Sequence, residues 1–311
     1  MAGPTASGKS ALALALAERL GGVVVNADSM QVYRELRVLT ARPSPSDEAR
    51  VPHRLYGVRA AAEPGSAAWW RGAALDALAA ATAAGRLPIL CGGTGLYLAA
   101  LTDGLAEIPE PGEAARAEAR ALVASEGSAA LHARLAAVDP QTAARTRPGD
   151  PQRVARAWEV WRGTGRGLAT WHAGPASGPA PYEFTVLQLD PPREALRAAI
   201  TRRFAAMLAA GALDEVRALL APGLDEAVPA LRAHGVPELS AVLRGEATLA
   251  EAAGAAVAAT LRYTKRQRTW FRARRMADPS RTRVIDTCLT NPAQLSESVM
   301  ADMFNFVRAR G

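Results

Sequence analysis

Apolar and polar positions along the first hundred residues switch between two periods. Leu12 to Leu20 repeats its apolar residues at helical spacing, and Gly22 to Asn26 is a β-branched run of strand length. An Ala-rich helical stretch around Trp70 to Ala84 then leads into a second apolar strand, Leu87 to Cys91. Helix and strand in alternation predict a parallel sheet flanked by helices. From about Glu107 the strand signal stops, and helices with Pro and Gly joints run to about Ala180. A strand-like segment, Tyr182 to Leu189, precedes further helices, among them the Ala-rich Leu249 to Leu261. The predicted organisation is an α/β core, residues 1–105 and 181–311, with an inserted all-helical domain, residues 106–180. The Gly/Pro/Ser stretch Gly174 to Pro181 reads as the exit linker.

Composition narrows the class. The 311 residues are 49% apolar and 22% charged with two cysteines, enough for a sizeable core and unlike a collagen, a coiled coil or a disulfide scaffold. No apolar run is long enough to span a bilayer, and the opening Met-Ala-Gly-Pro lacks a charged-then-apolar leader. The expectation is a cytoplasmic protein with no membrane partner, active as a monomer. Cys91 closes a buried strand and reads as a small core residue, and His53 has no partner at metal-ligand spacing.

Charge is unevenly placed. The chain carries +7 overall, yet residues 262–283 alone hold nine basic residues and one acid, so the remainder sums to −1. A local excess of this kind fits a phosphate-rich partner better than general solubility. Only two of the 37 basic residues are lysines, Lys9 and Lys265, and a lysine kept against such a bias marks a place where guanidinium does not substitute.

Lys9 lies in Gly3-Pro4-Thr5-Ala6-Ser7-Gly8-Lys9-Ser10, which matches G-x-x-x-x-G-K-[ST] and leads into a helix. Glycines let backbone N–H groups turn inward around a phosphate, and the helix N-terminus adds its partial positive charge. Lys9 reaches the terminal phosphate and Ser10 can hold Mg²⁺, as in nucleotide- and ATP-binding loops. A buried strand ordinarily runs into the first glycine, and here only Met1 and Ala2 precede it. The expectation is either a start set several residues late or a core short of its central strand.

Asn26-Ala-Asp28-Ser29-Met30-Gln31-Val-Tyr33 follows the first predicted strand directly, and Gly92-Gly-Thr94-Gly-Leu-Tyr97 follows the second. In an open parallel sheet the carboxyl ends of strands form the ligand crevice, so Asp28, Thr94 and the phosphate loop should meet at one edge. Asp28 reads as a general base, as a Mg²⁺ ligand through water, or as the N-cap of a following helix. Thr94 reads as a site residue or as part of an ordinary Gly-Gly-Thr turn.

Those three segments, with Asp150-Pro-Gln-Arg-Val-Ala-Arg-Ala157 and Lys265-Arg-Gln-Arg-Thr-Trp-Phe-Arg272, resemble the ordered motifs of bacterial tRNA dimethylallyltransferases over residues 3 to about 275. The resemblance implies a P-loop NTPase-like core. It also implies transfer of the dimethylallyl group of dimethylallyl diphosphate to the exocyclic N6 amine of the adenine 3′ to the anticodon, with release of diphosphate. The loop, Gly3 to Ser10, and Arg203 would hold the donor's diphosphate, with Mg²⁺ at Ser10. Lys9, Asp28 and Thr94 would carry the catalysis, Asp28 as the base beside the target amine. The implied tRNA anticodon stem-loop contacts are Asp28, Ser29, Met30, Gln31, Thr94, Arg116, Gln152, Arg153, Val154, Ala155, Arg156, Arg232, Gly235, Lys265, Arg266, Arg268 and Arg272. Where the family pattern has a tyrosine and a basic residue after the glycine, this chain has Gly235-Val236-Pro237.

Two surfaces suit such a partner. Asp150 and Pro151 open a helix whose apolar stripe is Val154, Ala157, Trp158 and Trp161, leaving Gln152, Arg153 and Arg156 off the stripe. Arg262, Lys265, Arg268, Arg272 and Arg275 step by three or four and would share one helix face, while Trp270 and Phe271 face the core. A solvated helix face is the alternative in both places. The rival activities are a P-loop small-molecule or nucleoside kinase, an adenylate prenyltransferase, and an RNA-binding module whose loop is vestigial.

Overall fold

The computed structural model describes residues 1–225, 227–289 and 297–309. Its contacts divide the chain into two compact units, Met1–Thr102 with Ala180–Gly311, and Asp103–Pro179.

The first unit is built on a parallel sheet. Strands β1 (Gly22–Asn26), β2 (His53–Arg54) and β3 (Leu87–Cys91) order as β2-β1-β3, and β4 (Val186–Leu189) pairs with β5 (Thr282–Ile285). Val24 faces His53 on one side of β1 and Ile89 on the other. The two groups are joined by the first two residues of the chain. Ala2 bridges Gly92 and Gln188, both in parallel sense. Its N–H donates to the Leu187 carbonyl at 2.9 Å, and its carbonyl accepts the Leu189 N–H at 2.8 Å. The Gly92 N–H donates to the Met1 carbonyl, and the Met1 ammonium to the Leu90 carbonyl. The strand expected to run into Gly3 is thus present as a single bridged residue. Below it, a cavity of about 300 Å³ lies between β3 and β4, lined mainly by apolar side chains such as Leu87, Leu90, Leu98, Leu101, Val186 and Leu187.

Burial on both faces explains the β-branched run of β1. Val24 joins a cluster with Leu12 and Leu16 of the helix Lys9–Leu20, together with Ile89, Leu189 and Phe304. Val23 and Val25 point the other way, toward Ala81 of the helix Ala67–Ala83. That helix also buries Trp70, whose indole N–H donates to the Asn26 carbonyl at 2.8 Å and whose ring stacks on Tyr97. Full burial of such side chains is worth about 1.5–3 kcal/mol each.

Two expectations change in detail. The Ala-rich and basic segments form one 25-residue helix, Leu249–Ala273, opened by a Thr248/Glu251 capping box. Because it ends at Ala273, Arg275 lies beyond it and does not share the face of Arg262 and Lys265. The strand read as Tyr182 to Leu189 is hydrogen-bonded only over Val186–Leu189.

The second unit is entirely helical apart from one isolated bridge, Ala106 to Ala176. Helices Glu113–Glu126, Ser128–Val138 and Pro151–Thr164 close around Leu131, Leu135, Val154 and Trp158. Asp150 caps the last of these by accepting the Arg153 N–H at 3.1 Å, with Pro151 in the first turn.

Candidate active site

The phosphate loop owes its shape to glycines that no other residue replaces without strain. Gly8 has φ +95°, and a Cβ there would lie 1.9 Å from the Leu289 carbonyl oxygen. Ala6 also adopts a positive φ, 63°, which an alanine tolerates only when its surroundings impose it. The Leu289 N–H donates to the Ser7 carbonyl at 2.9 Å, fastening the loop from outside.

Within the loop the polar groups are poised for an anion. Ser7 is buried, and its hydroxyl has no hydrogen-bond partner among the described residues. The Lys9 ammonium folds back to donate to the Pro4 carbonyl at 2.9 Å. Burial pushes its pKa down; Cys91 and Asp28 oppose the shift and Arg203 adds to it. Arg203 is likewise pushed down by burial and held up by Asp28, while it donates to the Thr40 carbonyl at 3.2 Å. Two desolvated cations that feel each other gain most from a shared polyanion. Lys9 thus lies within electrostatic reach of both Asp28 and Arg203, and Arg203 within reach of Asp28.

Asp28 is held by its neighbours and caps no helix. The Asn26 carboxamide accepts the Asp28 N–H at 2.8 Å and donates to the Asp28 carbonyl and the Leu55 carbonyl, each at 3.0 Å. Asp28 Oδ1 accepts the Met30 N–H at 2.9 Å in a local turn. No helix starts there, so the N-cap reading is set aside. Thr94 crosses to the same segment: its Oγ1 accepts the Ser29 N–H at 2.9 Å and donates to Ser29 Oγ. Gln31 reaches away, donating to the Thr40 and Ala41 carbonyls.

Sequence reading missed three residues here. Asn26 belonged to a quoted motif without a role. Gln267 is 5% exposed; its Oε1 accepts the Thr5 N–H at 2.9 Å and its Nε2 donates to the Gly93 carbonyl at 2.8 Å. Tyr263 lies one turn earlier, its pKa raised by burial and by Asp28 and held down by Thr94 and Gln267. The available signal was an uncharged polar residue in step with the buried Thr264 and Phe271.

The basic surface is smaller than its charge count. Arg268 and Arg272 both bind Asp190, at 2.6 and 2.7 Å, and Asp190 has only 13% of its side chain exposed. They therefore fasten the long helix to the end of β4, and one carboxylate offsets one of their two charges, with Arg272 still 60% exposed, so the cationic face is narrower than the sequence suggested. Lys265 is exposed, and Arg266 lies over the Tyr263 ring at 5.4 Å. Arg232 donates to the Ala227 carbonyl, and Gly235 opens the helix Val236–Leu243 at φ +99°.

In the helical unit, Gln152 and Arg153 are exposed while Ala155 and Arg156 are partly covered. Val154 is fully buried in the core of that unit, so its side chain supports the helix and offers no contact to RNA. Arg116 pairs with Glu110 and Glu113. His53 Nδ1–H donates to the Val51 carbonyl at 2.9 Å and the ring packs against Tyr56, a structural setting.

No cluster of three or more His, Cys, Asp or Glu at metal-binding distance exists among the described residues. No helix there is long and apolar enough to cross a membrane.

Comparison with known proteins fits this geometry. The chain is 62% identical to a tRNA dimethylallyltransferase of Gluconacetobacter diazotrophicus, covering 100% of this chain and 93% of the relative. It is 60% identical to the Granulibacter bethesdensis protein of the same name, covering 99% and 97%. The crystal structure of a tRNA isopentenylpyrophosphate transferase from Bacillus halodurans superposes with a TM-score of 0.68 at 33% identity, covering 99% of this chain and 94% of that one. With residues 31–274 also matching the IPP transferase family model, this chain belongs to the IPP transferase family.

Proposed function

We propose that this protein transfers the dimethylallyl group from dimethylallyl diphosphate to the N6 amine of the adenine 3′-adjacent to the anticodon of tRNA, releasing diphosphate. The observation that carries the reading is the convergence of Lys9, Arg203 and the phosphate loop with Asp28, beside the Thr94–Ser29 contact. An anion site next to a positioned carboxylate suits a donor whose leaving group is a diphosphate and an acceptor that must lose a proton.

The chemistry follows from those positions. An exocyclic aromatic amine is a weak nucleophile, and hydrogen bonding to Asp28 raises its attack on the allylic carbon. Asp28 Oδ1 is spent on Met30, so the other carboxylate oxygen is the one to meet the amine and take its proton. As the carbon–oxygen bond breaks, Lys9, Arg203, the buried Ser7 hydroxyl and loop N–H groups take up the charge developing on diphosphate. Thr94, tied to Ser29, orients the base against the donor. The adenine must leave its stack to arrive there, at a cost of about a few kcal/mol.

Mg²⁺ fits this site as a guest of the diphosphate. Ser10, exposed in the first turn after the loop, would supply one oxygen. Without a protein cage of acidic ligands, most of the coordination would come from phosphate oxygens and water, and the ion would neutralise leaving-group charge.

For the tRNA, the contacts in this reading are the Asp28–Gln31 segment and Thr94 at the base, Lys265 and Arg266 on the long helix, Arg232 and Gly235 beside His234, whose ring packs on Tyr263 of that helix, and Arg116, Gln152, Arg153, Ala155 and Arg156 in the helical unit. Val154, Arg268 and Arg272 serve by holding these surfaces in shape.

The test is an incubation with radiolabelled dimethylallyl diphosphate, ATP, AMP and an anticodon stem-loop RNA. Label on RNA is expected; phosphorylation of a small molecule with unlabelled RNA would make the protein a kinase, and label on AMP an adenylate prenyltransferase.

A further inference from the structure

The phosphate loop and the Gly92–Gly95 turn approach closely, and among the described residues no backbone hydrogen bond joins them directly. A Cβ on Gly93 would lie 3.1 Å from the Gly3 carbonyl oxygen and 2.3 Å from Gln267 Nε2. What joins the two segments is the Gln267 carboxamide, with Thr5 N–H on its oxygen and Gly93 C=O on its nitrogen. Only one orientation of the amide satisfies both, and burial leaves water no easy way to replace either bond. The next turn of the same helix face extends the contact. Trp270 packs so closely on Gly95 that a Cβ there would come within 2.5 Å of its ring.

We propose that Gln267 is a positioning residue for prenyl transfer: its carboxamide sets the phosphate loop in register with the turn that carries Thr94. This deepens the reading of the site as a prenyl-diphosphate site and rests on it. One side of the coupled pair holds the leaving group and the other holds the acceptor base through Thr94 and Ser29. A register error between them separates donor carbon from amine, and misplacement of about 1 Å is costly in rate. Gln267 touches neither substrate in this scheme; it acts through Thr5 and Gly93. The exposed Lys265 and Arg266 flank it on the same helix, so the surface proposed to hold RNA and the clasp at the diphosphate are one rigid element.

The experiment compares wild type with Gln267→Met and Gln267→Glu, with wild-type label transfer to RNA as the control for the underlying reading. Gln267→Met keeps length and loses both bonds. The expected result is at least a ten-fold fall in kcat for RNA prenylation, with the Kd for the stem-loop changed less than about three-fold, because the exposed basic residues remain. Gln267→Glu keeps an acceptor for Thr5, but its ionised form turns a second oxygen toward the Gly93 carbonyl. Protonation restores a donor there, so its activity relative to wild type should rise as pH falls from 8 to 6. A residue with only a structural role would lower Tm in both variants and leave kcat and the pH ratio of the folded protein at wild-type values, which overturns the proposal. Should neither variant fold, hydrogen exchange on wild type decides: inorganic diphosphate should slow exchange of the Thr5 amide and Gln267 carboxamide protons. Unchanged exchange at both overturns the inference, whereas failure of wild type to label RNA overturns the reading beneath it.

Discussion

Asn26 holds Asp28 from both backbone poles, accepting its N–H at 2.8 Å and donating to its carbonyl at 3.0 Å. The last residue of β1 thereby fixes the carboxylate that follows it, and the third Asn26 contact, to the Leu55 carbonyl, ties this clasp to the segment after β2. Asn26 is itself fully buried, so its carboxamide is held away from solvent while its partners Asp28 and Leu55 are partly exposed.

The first prediction concerns Asp28. Asp28→Ala should lower kcat by about 10² to 10⁴ while leaving stem-loop affinity within a few-fold, because general-base assistance is lost and the outlying RNA contacts are not. Single-turnover kinetics with saturating donor measure the first and filter binding the second. Unaltered turnover would remove Asp28 from the mechanism.

The clasp itself is the second. Asn26→Ala takes their partner from the Asp28 N–H, the Asp28 carbonyl and the Leu55 carbonyl in a partly buried setting, costing on the order of 1–3 kcal/mol of stability. It should also reduce kcat with Asp28 still in place. A variant with lowered Tm and undiminished kcat would show that the aspartate needs no such support.

Gly8→Ala is the third. The residue combines φ +95° with a Cβ position 1.9 Å from a backbone oxygen, so neither a rotamer change nor a flexible neighbour can relieve it. Diphosphate binding followed by calorimetry should be lost or weakened at least ten-fold. Unchanged affinity would mean that the loop binds no phosphate in this conformation.

The fourth uses the cavity between β3 and β4. Parallel ladders spend alternate residues on alternate neighbours, so the groups of β3 and β4 that β1, β5, Met1 and Ala2 do not use face this gap below Met1. An engineered apolar segment of about five residues joined ahead of Met1 should extend both ladders, fill the space and raise Tm. Equal Tm with and without it would show that the gap accepts no strand.

Much of this architecture is legible in the sequence because the signals are local. The β-branched β1, the phosphate-loop motif before a helix and the Asp150–Pro151 helix start each depend on residues a few positions apart. The charged residues were read less well, and for a physical reason. A count of basic residues over 262–283 carries no information about Asp190, which lies more than seventy positions earlier and consumes Arg268 and Arg272. In the same way Gln267 looks like one more polar residue in a basic run until the turn after β3 is folded against it. Pairings between distant segments are set by packing, and helical spacing gives only the side from which a residue leaves its helix.

That distinction yields the last prediction, which separates cations that face RNA from those that do not. Lys265→Ala and Arg266→Ala each remove an exposed charge, so each should flatten the log-log salt dependence of single-stranded RNA binding by about 0.7 and leave Tm nearly unchanged. Arg268→Ala should behave differently. It strips a partner from Asp190, whose side chain is 13% exposed, and destabilises the fold by on the order of 2 kcal/mol with little change in salt slope. Asp190→Asn gives the reciprocal outcome. It frees Arg268 and Arg272 from their counter-charge, so stability should fall while the salt slope steepens, the more so for Arg272 with its 60% exposed side chain. Salt-dependent binding and thermal melts on the four variants therefore sort into three classes. A slope loss for Arg268→Ala equal to that for Lys265→Ala, at wild-type Tm, would return Arg268 to the RNA surface.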